Sequence, residues 1–203
     1  MSNIVVIGAS GQVGSRIVKE LSARHHQITA ISRHPQNIPS LPGVTALKAD
    51  LLNIDDIVPH LRGHDVVVSA VKFNDAEAKH IIDVVKKSGV PRYLVVGGAG
   101  SLEVKPGLRL IDTAEFPEAY KAEASKGADF LDEIQKETEL NWTFLSPSAL
   151  FGPGERTGQF RLGKDTLLTS DNGSHISYED YAVALVDEIE TPKHPRQRFT
   201  VGY

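Results

Sequence analysis

The stretch Asn3–Arg16, "NIVVIGASGQVGSR", decides how the chain is read. Its first half is a short, β-branched apolar run, the pattern of a strand buried on both faces. Its second half changes period: Val13, Ile17, Val18 and Leu21 recur at helical spacing through residues 12–25. Between the two lie Gly8, Gly11 and Gly14, spaced G-x-x-G-x-x-G. A buried strand runs through a glycine-rich turn straight into a helix.

The same alternation continues outward. Further strands are expected at 27–32, 44–49, 65–71, 92–98, 141–146 and 196–203. Helices are expected at 54–62, at 75–89 with Gly89 as the stop, at 118–138, and at 177–190. Ser177 is the expected N-cap of the last helix, with Asp180 three residues on, close to a capping box. Strands apolar on both faces and separated by helices imply an α/β fold, a doubly wound parallel sheet in a single domain spanning 1–203. Two long connections, 99–116 and 147–174, follow strands of the second half, so they should overlie the carboxyl edge, where ligands bind in such sheets.

Composition narrows the function classes. Hydrophobic residues make up 40% and charged residues 24%, enough for a substantial core. The net charge of −4 argues against a nucleic-acid surface. The absence of cysteine excludes disulfides, thiolate chemistry and a thiolate metal site. No basic segment precedes an apolar run at the N-terminus, and no run approaches membrane-spanning length, so a cytoplasmic protein without membrane partners is expected. Either a monomer or a homodimer is compatible.

The glycine turn has a chemical reading. Gly8 permits a tight turn, Gly11 lets backbone approach a pyrophosphate, and Gly14 lets the helix pack close to the strand. The helix start, with Gln12 and Val13, then aims unpaired N–H groups at the phosphates, and Ser10 adds a hydroxyl. An NAD-binding chain usually carries a carboxylate at the end of the second strand, about 20 residues on. This chain has Ser32-Arg33-His34. Arg33 can pair with a 2′-phosphate and Ser32 can donate to it, which favours NADP(H) over NAD(H). Asp50 and Leu51, after the third strand, are expected beside the adenine. Ser69, Ala70 and Val71 are expected beside the pyrophosphate and ribose.

These segments, with "KADLLN", "DVVVSAV", "YLVVGGAG", "FLSPSALFGPG" and "SYEDYAVALVDEI", resemble the extended or atypical branch of the short-chain dehydrogenase/reductase superfamily. The stretches "GGAGSLEVKPGLRL" and "LSPSALFGPGERTG" are more specifically similar to bacterial NADH-flavin-reductase-like proteins, near biliverdin reductase B and the nitrogen-repressor-like group. The resemblance implies a Rossmann-like NAD(P)-binding fold. It implies that Lys126 bonds the nicotinamide ribose and that Pro147-Ser148 meets the carboxamide with backbone groups. It also implies a Y-x-x-x-K pair and a serine ending the fifth strand. Here the tyrosine position is Ala122, and Gly97 and Gly98 stand at the serine position. Tyr120 does not replace it, being six residues from Lys126, about 600° around a helix.

Hydride reduction of a ketone needs a proton, and losing a positioned acid costs roughly 10²–10⁴-fold in rate. A flavin or quinone delocalises the added charge, so a planar small-molecule acceptor is the expected substrate. Leu102, Leu108, Leu110, Ile111, Phe116, Leu150, Phe151 and Phe160 are candidates for its slot. Arg156 and Arg161 are candidates for a flavin phosphate. A non-catalytic NADP(H) sensor, or a nucleotide-sugar epimerase or dehydratase with an unorthodox acid, also fits. Tyr120, Ser101 and His175 are the candidate acids.

Overall fold

A computed structural model describes residues 1–203. In chain order the main elements are strand β1 (Asn3–Ile7), helix α1 (Gln12–Ala23), β2 (Gln27–Ser32), β3 (Val44–Lys48), α2 (Ile54–Leu61), β4 (Val66–Ser69), α3 (Ala78–Ser88) and β5 (Arg92–Val96). There follow short strands β6 (Glu103–Lys105) and β7 (Leu108–Arg109), then α4 (Glu118–Ile134), β8 (Asn141–Ser146), β9 (Leu150–Gly152), β10 (Arg161–Gly163), β11 (His175–Ser177), α5 (Tyr178–Glu190) and β12 (Gln197–Gly202). One eight-stranded sheet runs β10-β12-β8-β5-β4-β1-β2-β3. Only the edge strand β10 is antiparallel to its neighbour. The order reverses between β1 and β4, and this Rossmann-like switch point opens a crevice at the carboxyl edge.

The two-residue period of the strands divides the core into two layers. Val5, Ile7, Val67, Tyr93, Val95, Trp142 and Phe144 face α2, α3 and α4. Their alternates Ile4, Val6, Val66, Val68, Leu94, Leu145 and Phe199 face α1 and α5. Every one of these side chains is buried, which explains why the strands read as unbroken apolar runs. No helix is long and apolar enough to cross a membrane.

Several expected boundaries move inward. The helix expected from residue 75 begins at Ala78, because the Glu123 carboxylate draws the preceding turn onto α4, accepting from the backbone N–H of Phe73 (2.7 Å) and Asn74 (3.0 Å). The helix expected to reach 138 ends at Ile134. Beyond it Lys86 holds Glu137 (3.0 Å) and Glu139 (2.7 Å), turning the chain back toward α3. The strands expected through 71 and 98 stop at Ser69 and Val96. The connections at 99–116 and 147–174 are not plain loops. The first contains the β6–β7 hairpin, turned at Gly107 (φ +78°). The second contributes β9, which pairs with β11, and β10, which extends the main sheet.

Candidate active site: a groove and a neighbouring cleft

A groove of about 310 Å³ lies at the switch point. Gly8, at φ +83°, turns the chain out of β1, and its N–H donates to Ile31 O (3.0 Å). A Cβ at Gly8 would stand 2.4 Å from Ala70 O, and one at Gly14 would stand 2.2 Å from Gly8 O. Those two glycines therefore set how closely α1 and β4 approach the turn. Gly11 donates to Gly8 O (3.0 Å), closing the turn. α1 has no side-chain cap and no acidic residue in its first turn. By contrast α2 and α5 are capped by Asn53 and Ser177 and carry acids there. Uncapped N–H groups in a first turn that carries no acidic residue suit an anion.

The structure brings Gly8, Ser10, Gly11, Ser32, Arg33, Asp50, Leu51, Ala70 and Val71 together in this groove. Ser10 and Ser32 join through their hydroxyls (2.6 Å), tying the glycine turn to the end of β2. Arg33 is 68% exposed and touches Asp75 at 3.5 Å across the rim. Asp50 is held by its own turn, accepting from Leu52 N–H (3.0 Å). Sequence reasoning missed Lys72 and Asp75, which also line the groove. Both belong to the turn that Glu123 holds, and no local motif marks them.

Other candidates lie elsewhere. Gln12 is exposed at the start of α1, while Val13 packs on the second core layer. The Ser69 hydroxyl faces inward and bonds Tyr93 Oη (2.8 Å), and burial pushes that phenol well above its ordinary value. A Cβ at Gly97 would meet the Phe144 ring at 2.3 Å, so packing against β8 demands glycine there; Gly98 has more room. Pro147 and Ser148 are buried, and Ser148 donates to Val201 O (3.0 Å). Ser101 is buried and accepts from Arg198 (3.2 Å). Lys126 pairs with Glu77 (2.9 Å) at the surface.

A second cleft, of about 840 Å³, begins at Ala149, just past the end of β8. β8 lies three strand spacings from β1, about 14 Å along the same carboxyl edge. Tyr120 and Leu150, both about two-thirds exposed, stand at this cleft with Phe151, His175, Tyr178 and Tyr203. Arg16 of α1 links the cleft to the glycine turn: it pairs with Glu179 (3.0 Å) and lies over the Tyr178 ring.

One wall is the segment 153–158, strapped down by three carboxylates. Glu179 accepts from Gly154 N–H (2.9 Å). Buried Glu20 receives Arg156 through two bonds (2.7 and 2.8 Å). Asp180 accepts from Thr157 Oγ1, from Gly158 N–H (2.8 Å) and from Tyr203 Oη (2.7 Å). The expected capping box is thus only half formed: Ser177 caps Asp180 N–H (2.9 Å), while the Asp180 carboxylate serves the strap. The Arg156 hydrogen bond, outweighing burial, holds Glu20 below the usual carboxylate range. Burial raises the Glu179 carboxyl, but Arg16 and the Gly154 N–H together outweigh it and leave it lowered. Burial, with Asp180 alongside, raises the Tyr203 phenol.

The expected slot forms only in part. Leu150 and Phe151 line the cleft, whereas Leu102 and Ile111 are core residues. Phe160 packs on the second core layer. Leu108, Leu110 and Phe116 are half-buried and do not reach the cleft. Arg156 is committed to Glu20, and Arg161 donates to Thr169 O and Tyr203 O, so neither cation is free.

Comparison with known proteins decides the family. A family model described as NAD(P)H-binding matches residues 8–192, from the glycine turn through α5. The chain belongs to this NAD(P)H-binding family. It is similar to the "Uncharacterized protein YwnB" of Bacillus subtilis (strain 168), 41% identical over 211 residues, covering 98% of this chain and 97% of that one. The crystal structure of a "putative epimerase" from Bacteroides thetaiotaomicron superposes with a TM-score of 0.94 at 45% identity, covering 100% and 97% of the two chains. That of a "putative NADH-flavin reductase" from Streptococcus pneumoniae TIGR4 superposes at 0.86 and 36% identity, covering 100% and 99%. The resemblance read from the motifs is borne out. The fold is NAD(P)H-binding and oxidoreductase-like.

Proposed function

We propose that this NAD(P)H-binding protein is an NADP(H)-dependent oxidoreductase that passes hydride to a flavin, quinone or similar planar acceptor. The observation that carries the reading is the pairing of a glycine-built groove with the loss of the tyrosine and the strand-end serine that the motif pattern calls for. Position 122 is an exposed alanine, and positions 97 and 98 are glycines. The hydroxyls of Ser69, Ser101 and Ser148 are engaged in the protein interior. When bound, a reduced nicotinamide supplies two electrons and a proton as hydride. The protein's part is to hold, orient and exclude water.

The preference for NADP(H) rests on Arg33, an exposed guanidinium at the end of β2 with only a long contact to Asp75. A 2′-phosphate would offer that fork a closer, doubly bonded partner. Lys72 adds a second cation to the same groove. Lys126 would have to leave Glu77 to reach a nicotinamide ribose.

Steady-state NADPH oxidation with FMN, riboflavin and quinones tests the proposal. Turnover proportional to protein is expected with at least one of them, and none above the protein-free rate would sink it. The second reading, a sensor that binds NADP(H) without chemistry, is favoured by the inward-turned serines. It predicts tight dinucleotide binding with no turnover on any acceptor.

A further inference from the structure

His175 is the one side chain of the cleft with an unsatisfied buried atom. Its Nδ1 is buried and has no hydrogen-bond partner. The ring is fixed from two directions. Its backbone is in β11, paired with Leu150 of β9, and its carbonyl accepts from Tyr203 N–H (3.1 Å). The imidazole lies 4.9 Å from the Tyr203 ring at 57°. Tyr203 is in turn anchored on Asp180 (2.7 Å) and lies 2.9 Å from Ser177 Oγ.

A neutral imidazole carries one N–H and one lone pair. A buried N–H without an acceptor is the rarer and costlier orphan, so the hydrogen-bond surroundings assign the lone pair to Nδ1 and the proton to Nε2. Nε2 has no partner within the protein, and His175 lines the cleft. Around it stand aromatic and aliphatic groups: Phe151 edge-on to Tyr178 (4.7 Å, 82°), with Tyr120 and Leu150 exposed. A flat ligand can lie against these groups and still place one polar edge at the imidazole.

We propose that His175 is the specificity-determining donor of this cleft, its Nε2–H hydrogen-bonding a ring carbonyl oxygen of a planar conjugated acceptor. This rests on the oxidoreductase reading and deepens it. Flavins and quinones share the recognised feature, a carbonyl conjugated to the atom that accepts hydride. Negative charge collects on that oxygen as hydride arrives, so the bond strengthens during the reaction. The imidazole does this without giving up its proton, and water completes the protonation after release.

The test uses the full chain as wild type, His175→Phe, which keeps a ring against Tyr203, and His175→Gln, which keeps a donor. Affinity for oxidised riboflavin and for a naphthoquinone is measured with and without NADP⁺. NADPH affinity and Tm are measured alongside. His175→Phe should weaken binding of at least one acceptor about fivefold or more, the size of one lost hydrogen bond. His175→Gln should recover most of that loss, and NADPH affinity should hold in all three. Equal acceptor affinity in wild type and His175→Phe would overturn the proposal. So would absence of acceptor binding to wild type. Failure of wild type to bind NADPH would instead sink the oxidoreductase reading, which the acceptor titrations read separately. If His175→Phe does not fold, ¹⁵N-histidine spectra of wild type still decide. The Nε2–H tautomer, perturbed at Nε2 by riboflavin, is expected; an Nδ1–H tautomer, or no perturbation, overturns the assignment.

Discussion

The groove at the switch point and the cleft beyond β8 are built in opposite ways. The groove is made by backbone: Gly8 and Gly14 let three chain segments meet, and the bare start of α1 faces the opening. The cleft is made largely by side chains from positions 120, 149–155, 157, 175–178 and 203, held by a strap clamped on three carboxylates. A backbone device tolerates almost no substitution, whereas a side-chain device can be retuned residue by residue. On the proposed reading, a common cofactor groove beside a variable acceptor site is the natural outcome.

The largest effect should come from filling the groove's tightest point. Gly14→Val puts atoms into Gly8 O, and overpacking of this kind costs about 3 kcal/mol or more. For a chain of this size Tm should fall by roughly 6–12 °C, with NADPH binding lost. Calorimetry finding wild-type stability would show that the turn is slack.

Next is Arg33→Ala, which should weaken NADPH binding about tenfold or more, as expected for loss of a charged hydrogen bond. NADH binding should be nearly unchanged. Equal losses for both dinucleotides would mean that Arg33 reads no phosphate.

The strap should respond to acid. Glu20 is lowered from its ordinary value of 4.5, so it binds protons more readily when released than when clamped. Its contribution is therefore fully present above about 4.5 and is lost as pH falls through the lower, folded value. Glu179, also lowered, acts in the same direction. The amide NMR signals of Gly154 and Gly158 should hold steady from neutral pH down to that point and shift below it. Glu20→Gln should shift them already at neutral pH; unchanged signals would mean that Arg156 does not hold the strap.

The smallest change expected is Asp75→Asn. Removing the carboxylate that faces Arg33 should tighten NADPH binding about two- to threefold, within the range of exposed ion pairs. Weaker binding would show that Asp75 positions the guanidinium instead of competing for it.

The contrast also explains what could be read in advance. The groove was legible because its glycines lie within seven residues of one another, and because β2 ends at Ser32, where the second strand was expected to stop. The cleft was not, since only the β9–β11 pairing brings His175 beside Leu150. Arg156 gave no hint that its partner would be Glu20, far back on α1. No local motif told where the serine hydroxyls would go: strand alternation turned that of Ser69 toward Tyr93, and the chain leaving β8 buried that of Ser148. His175 was visible as a residue, but its orphaned nitrogen exists only in three dimensions.

The claim that this protein favours planar acceptors is tested most directly by anaerobic stopped-flow mixing of the NADPH-loaded protein with riboflavin, a naphthoquinone or a saturated ketone. Flavin or quinone should bleach at a rate proportional to protein, with no reduction of the ketone. Ketone reduction, with flavin and quinone no faster than in protein-free solution, would contradict it.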